Sequence, residues 1–192
     1  METNNGIPAF YARTNEEWRN WLEENGAIEK AVCLILYHKK SKAPCIDYKE
    51  SIEHALCFGW IDSKANKRDE ESSYLQFTPR KSKSNWSNVN KERVARMTAQ
   101  GLMRPAGQAM VDLAKANGSW DILTDAQNTF IPWDLQKMFD NNALAFENFQ
   151  RFSPSSRRMI LEWISKAKKE ETREKRIVQT VELAARNIKA NH

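Results

Sequence analysis

Residues 77–90 read FTPRKSKSNWSNVN and bring together groups that bind rather than merely fill space. Arg80, Lys81 and Lys83 lie among the hydroxyls of Ser82, Ser84 and Ser87 and the amides of Asn85, Asn88 and Asn90, with Trp86 in their midst. Just upstream, CFGWIDSK adds Trp60 and Asp62. An arginine fork can hold a phosphate or carboxylate through two parallel hydrogen bonds, and lysine adds a point charge. Indole rings offer flat faces for stacking. The candidate ligand-binding surface is therefore Trp60, Asp62, Arg80, Lys81, Ser84, Trp86 and Asn90, suited to an anionic small molecule or a peptide. The competing reading makes both tryptophans hydrophobic anchors and leaves the cations solvated.

Groups for turnover are sparser. The histidines are His38, His54 and His192, and only His54, on an expected helix, is placed to reach a site. Asp62 and Asp69 flank an expected hairpin, where turn and capping roles compete with a role as general base. The sequence has no glycine-rich phosphate loop, nucleophile elbow or zinc-type Cys/His spacing. Cys33, Cys45 and Cys57 are odd in number, show no CxxC pair, and read as reduced thiols. An enzyme would have to use Asp62 or His54 as base with Arg80 as an electrostatic clamp. A non-catalytic binding protein, without cofactor or metal, fits the residue types better. Nucleic-acid contact through the basic segments is a third reading.

Charge is unevenly spread over the 192 residues, which sum to +5. Residues 1–62 carry −3, 63–104 carry +6, 105–150 carry −4 and 151–192 carry +6. Two positive stretches thus alternate with two negative ones, by internal pairing or as two faces that attract anions. In KAKKEETREKR, pairs such as Glu171 with Lys175 and Glu170 with Arg173 have the spacing of an exposed, self-stabilised helix. No apolar run approaches the ~20 residues of a membrane span. The first residues lack a basic start and an apolar stretch, so a cytoplasmic location is expected.

The elements that must position these groups are readable in part. Thr14 with Glu17 makes a capping-box start, followed by an apolar face at Trp18, Trp21 and Leu22 and a stop at Gly26. The run 31–37 reads as a strand buried on both faces. Asp47 caps a helix bearing Ile52, Ala55 and Leu56 and ending at Gly59. Residues 60–66 and 73–79 read as a hairpin around a polar turn at 67–72. A helix follows from a cap at Ser84 or Ser87 to a stop at Gly101, then one from Pro105, two short ones split at 140–142, and one from Ser153 with Ile160 and Ile164 on its stripe. Residues 168–176 read as a break or an exposed helical turn. The expected fold is α+β, a small, mostly antiparallel three-stranded sheet packed by helices. The expected division is an α+β domain over 1–125 and a helical C-terminal region over 126–192.

Longer stretches carry a family likeness. HALCFGWIDSK (54–64), FTPRKSKSNWSNVNKERV (77–94), GLMRPAGQAMVDLAKANGSW (101–120) and WISKAKKEETREKRI (163–177) resemble the bacterial YdeI/OmpD-associated, or bacteriocin-protection, family. The motif residues that stand here are Gly59, Trp60, Ile61, Asp62, Arg80, Ser84, Trp86, Ser87 and Asn90. In the tail they are Trp163, Lys168, Glu171, Thr172, Arg173 and Arg176. The resemblance implies protection against bacteriocins or antimicrobial peptides and brings Arg173 and Arg176 into the candidate ligand set. It implies no catalytic residues.

Overall fold

A computed structural model describes residues 2–191. Its contacts divide the chain into two compact units, residues 1–84 with 89–117, and residues 85–88 with 118–192. The first holds the strands β1 (Thr3–Asn4), β2 (Ile7–Tyr11), β3 (Val32–Tyr37), β4 (Trp60–Lys67) and β5 (Ser72–Pro79). It also holds helices α1 (Asn15–Asn25), α2 (Tyr48–Cys57), α3 (Asn88–Ala99, from its second residue) and α4 (Pro105–Ala116).

The fold is α+β as expected, but the sheet is five-stranded and mixed, in the order β1-β2-β3-β5-β4. The β4–β5 hairpin and the β3–β5 pair are antiparallel, whereas β2 runs parallel to β3 with Phe10 opposite Leu34. Sequence reading misses β1 and β2 for a physical reason. The β2–β3 pairing is parallel and needs a crossover, here α1, so nothing local announces it, and Pro8 interrupts an already short run. The antiparallel β1–β2 pair does have a local signal, the Asn5–Gly6 turn, but its strands are very short. β3 is buried along Val32–Leu36, as a central strand with both faces covered should be.

Local chemistry sets the helix starts. The Thr14 side chain accepts from the Glu17 amide at 3.2 Å, and Asp47 accepts from the Lys49 amide at 2.7 Å. Aromatic rings fill the space between α1 and the sheet. Trp18 stacks on Trp21 at 5.4 Å and tilts against Phe77 at 5.2 Å, and Trp21 meets Trp60 edge-on at 5.8 Å. Gly59, at φ +78°, makes the left-handed turn from α2 into β4. Gly107 lets α4 touch α2, because a Cβ there would lie 2.1 Å from the Cys57 carbonyl oxygen.

The second unit is helical among its described residues, with α5 (Thr124–Gln127), α6 (Trp133–Asp140), α7 (Ala143–Arg151), α8 (Pro154–Ser165) and α9 (Glu170–Ala185). Its core gathers Leu135 and Phe139 of α6, Phe149 of α7, Ile160 and Ile164 of α8, and Ile177 and Val181 of α9. Asn142 caps α7 through the Ala145 amide, and Ser153 caps α8 through the Ser156 amide. The break expected at 168–176 is shorter and earlier, at residues 166–169, and 170–176 form the first turns of α9. No described helix is long and apolar enough to cross a membrane.

Candidate functional site

The residues singled out around the GWID and FTPR stretches are distributed over both units. Trp60 is 1 % exposed and is a core piece. Its indole N–H donates to the Gly26 carbonyl at 3.1 Å, satisfying an acceptor at the end of α1 that helical geometry leaves open. Trp86, 2 % exposed, belongs to the second unit and packs at 5.0 Å against Trp120. Both indoles are therefore walls of their cores and not open stacking faces, which corrects that part of the sequence reading.

Arg80 is also buried, at 7 % exposed, with its backbone N–H on the Gly59 carbonyl at 2.8 Å. Burial pulls its guanidinium down to about 10, against the opposing pull of the Asp62 charge, so it stays protonated near neutrality. Asp62 and Arg80 are thus electrostatic neighbours on adjacent strand ends. Lys81 is exposed at the surface, and the Ser84 hydroxyl closes a turn on the Lys81 carbonyl at 2.9 Å. Asn90, in α3, accepts from Arg93 at 2.9 Å.

The candidate bases are engaged structurally. His54 is buried, and Arg19 meets its Nδ1 at 3.1 Å while also donating to the Leu102 carbonyl at 2.9 Å. Burial first, and the Arg19 charge second, hold the His54 imidazole below its usual range. Asp69 accepts from the Glu71 amide and the Ser72 hydroxyl, each at 2.8 Å, which is the turn role. The three thiols are free, and burial pushes each of them up. They are poor nucleophiles at neutral pH.

The clearest hollow in the second unit lies between α6 and α9. Arg173 does not pair along its own helix with Glu170. It forks across to Asp134 at 2.6 and 3.0 Å, joining α9 to the first turn of α6. Burial would raise the Asp134 carboxyl, but the hydrogen bonds and charge of Arg173 outweigh it and hold it below its usual range. Arg176 donates to the Trp163 carbonyl and stands 4.9 Å over the Trp163 ring, binding α9 to α8. Above the Asp134–Arg173 pair opens a groove of about 640 Å³. Trp133, Met138, Ile177 and Val178 give it apolar walls, and Trp133 is 77 % exposed. Its charged lining is Glu170, Glu171 and Glu174 against Lys137, once Arg173 has neutralised Asp134. A second hollow shares Glu171, Glu174 and Val178 and continues along α9 to Glu182.

Of the expected residues, Arg173 alone lines this groove, and Arg176 braces the helix behind it. Sequence reasoning passed over Trp133, Met138 and Glu174, and took Glu170 and Glu171 as helix-surface partners or motif residues instead of as a groove lining. A signal was present. Residues 133, 134, 137 and 138 share one face of a helix, and 170, 171, 174, 177 and 178 share one face of another. Trp133 and Met138 lie off the stripe of Leu135 and Phe139 that fills the core.

Comparison with known families divides the chain in a similar way. Residues 129–187 match the family model described as Bacteriocin-protection, YdeI or OmpD-Associated, and this range contains the whole α6/α9 groove. Residues 10–110, just over half of the chain, match a different family model. HALCFGWIDSK and FTPRKSKSNWSNVNKERV lie in that first range, so the bacteriocin-protection match rests on the helical stretch. Neither a curated protein nor a solved structure matches the chain. The chain belongs to the family described as Domain of unknown function (DUF8412), and its residues 129–187 are those of the bacteriocin-protection, YdeI or OmpD-associated family.

Proposed function

We propose that this protein protects by binding, and that the α6/α9 groove holds a cationic amphipathic peptide. The observation that carries the reading is the groove itself, an open apolar trough with Trp133 exposed and three glutamates along its lip. The apolar face of a helical peptide would cover Trp133, Met138 and Val178, a helix-in-groove arrangement. Its lysines would meet Glu170, Glu171 and Glu174. From Glu170 to Glu182 the helix α9 runs about 18 Å, enough for roughly three turns of a bound helix. Capture of this kind needs no turnover, and it suits a family named for bacteriocin protection.

A fluorescently labelled helical peptide of leucine and lysine tests the proposal by anisotropy. Wild type should bind it saturably. Trp133→Ala should weaken binding by about tenfold or more, as the loss of an aromatic anchor does. Glu174→Lys should weaken it further as salt is lowered, because like charges then meet unscreened. Saturable binding that neither substitution changes would place the peptide elsewhere, and no binding would end the proposal.

A further inference from the structure

The first unit carries a second hollow that the peptide reading does not use. It measures about 460 Å³ and lies over β3 and β5 beneath the loop that joins β3 to α2. Tyr37, Tyr48 and Tyr74 bring rings to its lining, and Tyr48, at the first turn of α2, is 50 % exposed. His38 Nε2 lies 2.9 Å from the Ser73 hydroxyl, fixing the imidazole at the edge, and Lys39 completes the rim. Lys40 and Lys42 are exposed on the same loop.

The nearby carboxylates each have a hydrogen-bond partner, and one of them, Asp47, lines the hollow. Asp47 caps α2, and Glu71 accepts the Ser41 hydroxyl at 3.4 Å. Glu2, which takes the Tyr74 hydroxyl, is forked by Arg68 at 2.6 and 3.1 Å. The lining thus sets Lys39 against Asp47, Lys40 and Lys42 on the same loop add positive charge, and the walls are aromatic. The volume falls within the range of small-molecule sites, and the mix of rings with a few placed polar groups is the mix such sites use.

We propose that this hollow binds a small aromatic anion, a planar ring bearing one carboxylate, sulfonate or phosphate group. The ring lies against Tyr48, and the anionic group meets Lys39 and His38. The pairing of rings with cations that the sequence suggested at 77–90 is thus formed at 37–48. The proposal is independent of peptide capture in the other unit.

Cys45 supplies a built-in reporter. It lines the hollow and is half-buried, whereas Cys33 and Cys57 are fully buried. Iodoacetamide should therefore modify Cys45 first in the folded protein. The probe is naphthalene-2-sulfonate, compared with uncharged 2-naphthol and ringless methanesulfonate by titration calorimetry. The sulfonate should bind saturably and slow Cys45 alkylation at least fivefold. 2-Naphthol should bind about tenfold more weakly, and methanesulfonate should not protect Cys45. Tyr48→Ala and Lys39→Ala, both surface changes, should each weaken the sulfonate about fivefold or more. The proposal is overturned if the sulfonate does not bind, if 2-naphthol binds equally well, if Cys45 alkylation is unaffected, or if neither variant changes the affinity.

Discussion

Trp60 in the first unit and Trp133 in the second put the same side chain to opposite uses. Trp60 is sealed in the core with Trp21 edge-on against it, and its N–H is spent on the Gly26 carbonyl. Trp133 stands at the N-terminus of α6 with its ring in the open. Arginine shows the same contrast with respect to burial. Arg80 is withdrawn from water beside Asp62, while Arg173 spends its fork on Asp134 and leaves the glutamates of α9 facing out. Residue type announces capacity, and neighbours decide whether that capacity reaches solvent.

The contrast breaks most sharply under truncation. Trp60→Ala should cost about 3–5 kcal/mol, read as a lower denaturant midpoint, because it opens a cavity and orphans a carbonyl. Trp133→Ala should stay within about 0.5 kcal/mol of wild type while losing the labelled peptide. Comparable losses in both would erase the distinction between core and site.

Gly107→Ala comes next. The added methyl has no room against Cys57, and overpacking of this sort costs about 1–3 kcal/mol. A thermal melt at or above the wild-type temperature would show that α2 and α4 can separate freely. Asp134→Asn should be milder, about 1 kcal/mol, since it removes a charge-assisted fork that is partly exposed to water. The expected signature is a modest fall in stability with faster hydrogen exchange in the first turn of α9.

The smallest effect is a pH slope. His54 titrates lower in the folded protein than in the unfolded chain, so the unfolded chain takes up the proton first. Stability should fall as pH drops below about 6.5, the ordinary value, and level off beneath the depressed one. The opposing Glu50 and Glu53 charges are too weak to reverse the direction. His54→Gln should flatten this part of the denaturation profile, and an unchanged slope would assign it to other groups.

Much of the frame was legible because its signals are local. The caps at Thr14, Asp47 and Ser153, the hairpin and the split between α6 and α7 all follow from neighbouring residues. The β2–β3 pairing was not legible, since it is parallel and made across α1, whereas the β1–β2 hairpin had a local signal at Asn5–Gly6 that went unread because its strands are so short. The α6/α9 groove was hidden by net charge. Residues 151–192 carry +6, yet Arg173 and Arg176 are turned to Asp134 and Trp163, so the groove presents the opposite sign.

Residues 85–88 belong to the second unit although first-unit sequence flanks them on both sides. The polypeptide therefore changes unit three times, and no single scission separates one body intact from the other. A fragment beginning at Gly118 would lack Trp86, the ring that Trp120 leans on. Ribosomal synthesis meets the same constraint, because the second body cannot be completed from its own tail alone, and residues 85–88 emerge some thirty positions before the tail they join.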